Sequence, residues 1–303
     1  MFRTLSNWLH IPQSWLKGIS IGIISVVFSL SIISCSTGSV TDQTVATEPA
    51  SDTDTPAATE ASTGSNTLDR ILSEGVVKIA VPQDSPPFGS VGADGEPQGY
   101  DVEVAKLIAA DLEVELELVP VTSTNRIPYL QTNRADLVIS SLGATPERAK
   151  SIYFSSIPYA PFFSGVYGPS GASVSDYGDL GDYSIGVTQG SLEDLEVSER
   201  APEGTEIKRF EDNSIVVSAL LSGQVDLIAT GNTIAGKVIQ DNPDEDIANL
   251  FVMKNSPCYI GLRRGDLDMQ QWINVFIRHK RFSGDFDTLS REWFGEPLQV
   301  PDF

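Results

Sequence analysis

Residues 136–154 read DLVISSLGATPERAKSIYF. The run 136–140 is of strand type, and small residues follow it through Ala144. Thr145 is a good helix N-cap, Pro146 suits the first helical position, and Glu147 favours the helix dipole. A strand that passes through a small-residue loop into a helix is the repeating unit of an α/β fold. Arg148 then stands in the first turn, where acidic side chains are favoured because the unpaired amides carry partial positive charge. The plainest compensation for a cation there is an anion from outside, held by the guanidinium and the helix amides together.

The same unit recurs on both sides. Thr67 can cap a short helix with apolar Leu68, Ile71 and Leu72, and Gly75 can end it. Residues 76–81 form an apolar strand-type run, after which Pro82, Pro86, Pro87 and Gly89 force a loop. Val104, Leu107, Ile108 and Leu112 share one helical face, residues 115–121 alternate as a strand, and 125–132 read as a helix. This βαβ rhythm predicts a mostly parallel sheet with helices on both faces. It restarts with a strand at 183–188, followed by a helix capped by Ser191 with Asp194 at capping-box spacing. Asn213 caps another helix, Gly223 ends it, and 225–230 is again a strand. Two α/β units in series predict two lobes. Residues 266–294 read as helical, with Trp272, Phe276, Leu289, Trp293 and Phe294 as core anchors.

With 303 residues, 41% of them hydrophobic, the chain can bury a core for one or two domains. Acidic residues outnumber basic ones 41 to 20, for a formal charge of −21. This argues against nucleic acid, whose phosphates need a basic stripe, and against electrostatic adhesion to an anionic membrane. At the N-terminus, Arg3 and Lys17 precede an apolar stretch at 19–33 broken by serines, a signal-peptide core more than a membrane span. It ends in Ser31-Ile32-Ile33-Ser34-Cys35, which resembles a bacterial lipobox; the competing reading is an ordinary signal peptide with a chance cysteine. Residues 1–35 are thus expected to be a lipoprotein signal with lipidation at Cys35, where two or more acyl chains make stable anchoring. Residues 36–66, nearly all small or polar, are expected to be a flexible tether. Only Cys258 then remains, so the mature chain has no intramolecular disulfide, and Cys258 reads as a small buried hydrophobe.

Residues 99–109, GYDVEVAKLIA, closely resemble the signature of family 3 bacterial extracellular solute-binding proteins, the receptors of polar amino acid ABC importers. The segment ending in Arg148 resembles the family's ligand-gripping arginine, and residues 122–128, TSTNRIP, look like its glutamate/aspartate-binding branch. Residues 186–191, GVTQGS, are similar to the second lobe's ligand loop, and 261–264, GLRR, to the strand after the second crossover. The resemblance runs from about Leu68 to Phe294 in family order. It implies a two-lobed α/β periplasmic-binding-protein fold of type II, with two crossover hinge strands and a cleft at the carboxyl ends of the strands. Lobe 1 would be 67–160 with 258–303, and lobe 2 would be 161–257. Hinged closure on a ligand would follow.

The resemblance also implies a site. Arg148 would take an α-carboxylate on its guanidinium fork, joined by Thr145 and local backbone. Ser141 lies in the same small-residue run, and Gly143 lets a ligand approach the main chain. Gly190 and Ser191 open the facing helix. Three departures leave the ligand open. Where the family has an acidic residue for the α-amino group, this chain has Thr230, Gly231 and Asn232; Asp84 is the candidate substitute, against a loop-capping role. Where basic amino acid binders clamp the side chain between aromatics, Ser85 and Ser123 stand. The extra first-loop arginine of the glutamate/aspartate branch is replaced by Pro82 and Gln83, while Arg126 persists as a cationic contact or a helix-start salt bridge. Phe88 packs beneath the ligand or simply in the core.

The leading expectation is therefore a lipid-anchored, extracytoplasmic, monomeric binding subunit of an ABC importer for a polar amino acid or related small carboxylate. Its partners would be that ligand, the permease and the membrane, with no cofactor or metal. Two alternatives stand: a dehydratase-like enzyme on the same fold, and a ligand-sensing module. His10 and His279 lie outside the expected cleft, so acid–base work would fall to Asp84 or another carboxylate.

Overall fold

The computed structural model describes residues 66–300; the expected signal peptide, Cys35 and the tether through residue 65 lie outside the described residues. The first strand, Val76–Pro82, pairs in parallel with Glu115–Val121 on one side and Leu137–Val138 on the other. The helix Tyr100–Leu112 carries the chain between the first two and buries Val104, Ala105, Ile108 and Leu112. Its entry depends on Gly99, at φ 136°, where a Cβ would sit 2.3 Å from the Phe88 carbonyl oxygen. No other residue fits there.

The first sheet runs in the order Glu115–Val121, Val76–Pro82, Leu137–Val138, Gly261–Arg263, Ile152–Phe154. Gly261–Arg263 is antiparallel to both of its neighbours, so the sheet is mixed rather than mostly parallel. The reason is topological: this strand enters on the return from the second sheet. The second sheet runs Glu206–Phe210, Ser184–Thr188, Leu227–Gly231, Phe163–Gly168, Ala248–Asn255. Its first three strands are parallel, and Phe163–Gly168 is antiparallel to both of its neighbours. Each sheet is the floor of one lobe.

Both faces of each sheet are covered. On the first, Val77, Ile79, Tyr100 and Ile108 join Met269, Ile273, Phe276 and Phe286 from the last two helices. The opposite face packs Ala80, Leu130, Val138, Leu142 and Ile152. In the second lobe, Leu180, Ile185, Val187 and Val197 form one layer and Tyr167, Val216, Ala219 and Ile228 the other. Full burial of one such side chain contributes roughly 1.5–3 kcal/mol. The expected apolar anchors Trp272, Leu289, Trp293 and Phe294 are partly buried against the first core, and Phe276 is within it.

The two passages between the sheets lie side by side. Ser155 N donates to Ile260 O (2.8 Å), Tyr159 N to Cys258 O (2.9 Å), Cys258 N to Ala160 O (2.8 Å) and Ser256 N to Phe162 O (2.8 Å). Cys258 is fully buried at this crossing, and burial pushes its thiol well above the ordinary range.

Several helix starts differ by one residue from the sequence expectation. Asn66, not Thr67, caps the first helix, and Asp212, not Asn213, caps Asn213–Leu221. At both places the residue with extended backbone just outside the helix is the cap, and its side chain accepts the amide three residues on: Asn66 from Asp69 N and Asp212 from Ile215 N. Thr67 instead donates to Asp266 (2.6 Å) and accepts from Arg263 (2.7 Å). The long C-terminal helical stretch is broken at Gly284, φ 86°, into Leu267–Ser283 and Asp285–Phe294.

Candidate functional site

The carboxyl ends of the parallel strands of both lobes converge on a small, narrow cavity. Ser85, Ser123, Arg126 and Ser141 line it from the first lobe, and Ser191, Leu192, Glu193, Asn213, Thr230, Gly231 and Ile234 from the second. Phe162, on the first crossover, closes one side.

Arg126 opens the short helix Arg126–Gln131 and is 5% exposed. One guanidinium N–H is spent on the Ser140 carbonyl oxygen at 2.8 Å, while the buried Nε has no hydrogen-bond partner. Burial pulls its pKa down, opposed by the negative charges of Glu193 and Asp84. Sequence reading left Arg126 between a ligand contact and a salt bridge. Here it forms no ion pair and lines the cavity.

Arg148 sits as its cap requires, at the third helical position, with Thr145 Oγ1 accepting its amide at 3.1 Å. Its side chain is 6% exposed and turned inward. Nη1 donates to Gly143 O (2.7 Å) in its own lobe and Nη2 to Gly190 O (3.0 Å) in the other. Burial first, then the charge of Arg126, draws its pKa down to about 9, with Glu193 opposing. The guanidinium lies beside the cavity and not on its wall. Thr145 is occupied as the cap. Gly143 is a point of close approach between lobes: a Cβ there would lie 2.2 Å from Leu192 Cδ1. Gly190 has φ 73° and turns the chain into the helix Leu192–Arg200, whose cap is Ser191 (Asp194 N to Oγ, 3.1 Å). Asp194 reaches back to the Gly190 amide instead of completing the capping box.

Ser141 has φ 40°, in the left-handed region that favours glycine. Its amide is held by Asp101 Oδ2 at 2.8 Å, and Tyr159 Oη donates to Oδ1 at 2.7 Å. Asp101 is fully buried, and burial raises its pKa to about 7 against the two hydrogen bonds and Arg126.

Asp84 does not line the cavity. Its Oδ2 accepts from Asn213 N (2.9 Å) and Asn213 Nδ2 (3.1 Å), across the gap between lobes. Asn213 Nδ2 also donates to Ser85 Oγ (2.9 Å), and Asn213 Oδ1 accepts from Thr188 Oγ1 (2.7 Å). Burial raises the Asp84 pKa, opposed by the Asn213 amide. The expected ammonium contact is thus replaced by a fastening between lobes. Asn232 also points elsewhere, accepting from the Phe163 amide at 3.2 Å in a neighbouring recess. Phe88 is fully buried, 5.8 Å from Phe162 between ring centroids, and so backs the wall without forming it.

Glu193, Phe162 and the Asn213 side chain are contributors that the sequence did not flag. Glu193 is 5% exposed and accepts from Ser164 Oγ at 2.7 Å. As the second residue of a helix it reads locally as a dipole-favouring acid. Gly231 is explained by Phe162: a Cβ there would lie 2.5 Å from the ring's Cζ. Among the described residues, no group of three or more His, Cys, Asp or Glu side chains could hold a metal ion. No helix among them is long and apolar enough to cross a membrane.

The fold of this chain is shared with known proteins. The chain is 28% identical over 236 residues to the ABC transporter glutamine-binding protein GlnH of Bacillus subtilis, covering 76% of this chain and 85% of that one. A solved mutant of ArgBP from T. maritima superposes with TM-score 0.70 at 30% identity, covering 76% of this chain and 100% of that one. An ancestral amino acid-binding protein, a precursor of cyclohexadienyl dehydratase, superposes with TM-score 0.68 at 28% identity, over 75% and 99% of the two chains. The sequence profile of one family matches residues 77–296. The chain belongs to the bacterial extracellular solute-binding proteins, family 3.

Proposed function

We propose that this protein is the extracytoplasmic substrate-binding subunit of an ABC importer, anchored by lipid at Cys35, that captures a polar amino acid or related small carboxylate by closing its lobes. It works by binding, without turnover. The observation that carries the reading is the pair of buried guanidiniums at the cavity, Arg126 with a partnerless Nε and Arg148 held only by neutral carbonyl oxygens. A ligand carboxylate is a stronger acceptor than a carbonyl, because charge-assisted hydrogen bonds are roughly twice as strong as neutral ones. It therefore takes a place beside Arg126 and draws donors from Arg148. Serine hydroxyls around the wall suit a polar ligand. Lobe 1 (67–160 and 258–303) and lobe 2 (161–257) each bring part of this lining, so closure and capture are one event.

The test is a thermal-shift panel of amino acids and small organic acids, followed by calorimetry on the compound that stabilises. A ligand bound to the native state alone raises stability by mass action. Arg126→Ala and Arg148→Ala should each weaken binding at least tenfold, about 1.4 kcal/mol. Unchanged affinity in both variants would remove the proposed site, and product formation from the bound compound would favour the dehydratase-like alternative.

A further inference from the structure

We propose that the recess behind the crossover strands is a rear contact surface that narrows when the ligand cleft opens, so that the groups facing across it set how readily the ligand-free protein opens and how tightly it binds. This rests on the hinged-receptor reading above and adds a point of control outside the cleft.

Four observations carry it. First, the chain places the recess opposite the cleft. Residues 160–162 run against 256–258 as extended backbone, with Cys258 N donating to Ala160 O and Ser256 N to Phe162 O, both at 2.8 Å. Successive side chains therefore point to opposite faces. Phe162 lines the cavity, whereas Pro161 and Phe163 line the recess. Second, both lobes wall it. Thr233, in the first turn of the helix Asn232–Asp241, stands on the second-lobe side, and Phe294, Glu296, Pro297 and Gln299 stand on the first-lobe side. Rigid rotation about the crossover moves points on its two faces in opposite senses, so opening the front closes the rear. Third, the recess holds surface that narrowing would satisfy. Phe163 is 37% exposed, and the buried Thr233 Oγ1 has no hydrogen-bond partner, while Glu296 and Gln299 carry acceptors on the facing wall. Removing apolar area from water and pairing a buried hydroxyl are both favourable. Fourth, a run of ring contacts joins the recess to the cavity wall: Phe294 to Phe88 at 5.0 Å and Phe88 to Phe162 at 5.8 Å between centroids. The open form is the one that gains from the rear contact, and ligand-driven closure works against it.

The experiment is small-angle scattering of the ligand-free full chain, paired with calorimetric titration of each of the twenty standard amino acids. Thr233→Trp fills the recess and blocks its narrowing. Phe163→Ala acts by another route, removing apolar surface that the open form buries, and carries the test where the first variant does not fold. Each should reduce the ligand-free radius of gyration below that of wild type. Each should also tighten every amino acid that wild type binds by one common factor, about threefold or more, because closure shifts and recognition does not. An unchanged or larger radius of gyration in the folded variants overturns the rear contact. So does weaker binding, or tightening that differs from one amino acid to the next, which would mark a change in the cleft itself. Failure of wild type to bind any of the twenty overturns the amino acid reading of the receptor, while the scattering result, which needs no ligand, still decides the rear contact.

Discussion

Ser141 shows how far one residue can be understood from its surroundings. An L-residue at φ 40° is strained, by an amount on the order of 1–2 kcal/mol, and glycine would carry no such strain. The chain keeps serine there because the side chain lines the cavity while Asp101 holds the backbone amide. Ser141→Gly should leave the unfolding free energy within about 1 kcal/mol of wild type, since relief of strain is offset by a more flexible unfolded chain. Ligand affinity should fall at least fivefold. A large drop in denaturant midpoint with unchanged affinity would make Ser141 a purely structural residue. Sequence inspection placed Ser141, Ser123, Arg126 and Ser191 at the site by position in a motif, and all four line the cavity. The sequence ranks Arg148 first, as the carboxylate-gripping residue, with Arg126 a contact or a salt bridge; in the structure Arg126 is on the cavity wall and Arg148 is not, because Gly143 and Gly190 carbonyls from the two lobes hold the Arg148 guanidinium.

At the scale of elements, the helix Tyr100–Leu112 does more than cover the first sheet. Its second residue, Asp101, ties the helix start to the strand end at Ser141 and to Tyr159 on the crossover. Burial raises the Asp101 pKa from 3.8 to about 7, so between these values the native state holds a proton that the unfolded chain has released. Stability from this group is therefore full below about pH 4 and is lost as pH rises towards 7, with a slope of up to about 1.4 kcal/mol per pH unit. Urea titrations at pH 4 to 7 should show the wild-type free energy declining relative to Asp101→Asn, which carries no titrating group. Parallel profiles would show that Asp101 is ionised throughout. The helix itself was readable from its apolar face. The buried tie was not, since an aspartate in a first helical turn has a sufficient local reason to be there.

At the scale of the molecule, the two lobes are fastened at three places around the cavity: Asp84 to Asn213, Arg148 to Gly190, and Gly143 against Leu192. Each first member is on the first lobe and each second on the other. Removing Asp84 leaves two buried Asn213 donors short of a partner in the closed form and freely hydrated in the open one, a difference of roughly 1–3 kcal/mol. Asp84→Ala should therefore enlarge the ligand-free radius of gyration by small-angle scattering. It should also weaken amino acids and deaminated acids by the same factor, at least threefold, because it shifts closure and not recognition. Selective loss of the amino acid would return Asp84 to the role of ammonium partner.

What the sequence by itself determined is local and periodic: alternating strands and helices, glycine at forced turns, the Thr145 cap that carries Arg148, and the motif order that identifies the family. These depend on residues near one another in the chain, so they survive without coordinates. What only the tertiary structure decided is the division of labour among buried charges. Asp84 lies 129 residues from the Asn213 donors that occupy it, and Gly231 is explained by the Phe162 ring on the first crossover. Whether a carboxylate meets a ligand or a neighbouring amide is set by which donors lie within about 3 Å of it in space, and separation along the chain carries no record of that distance.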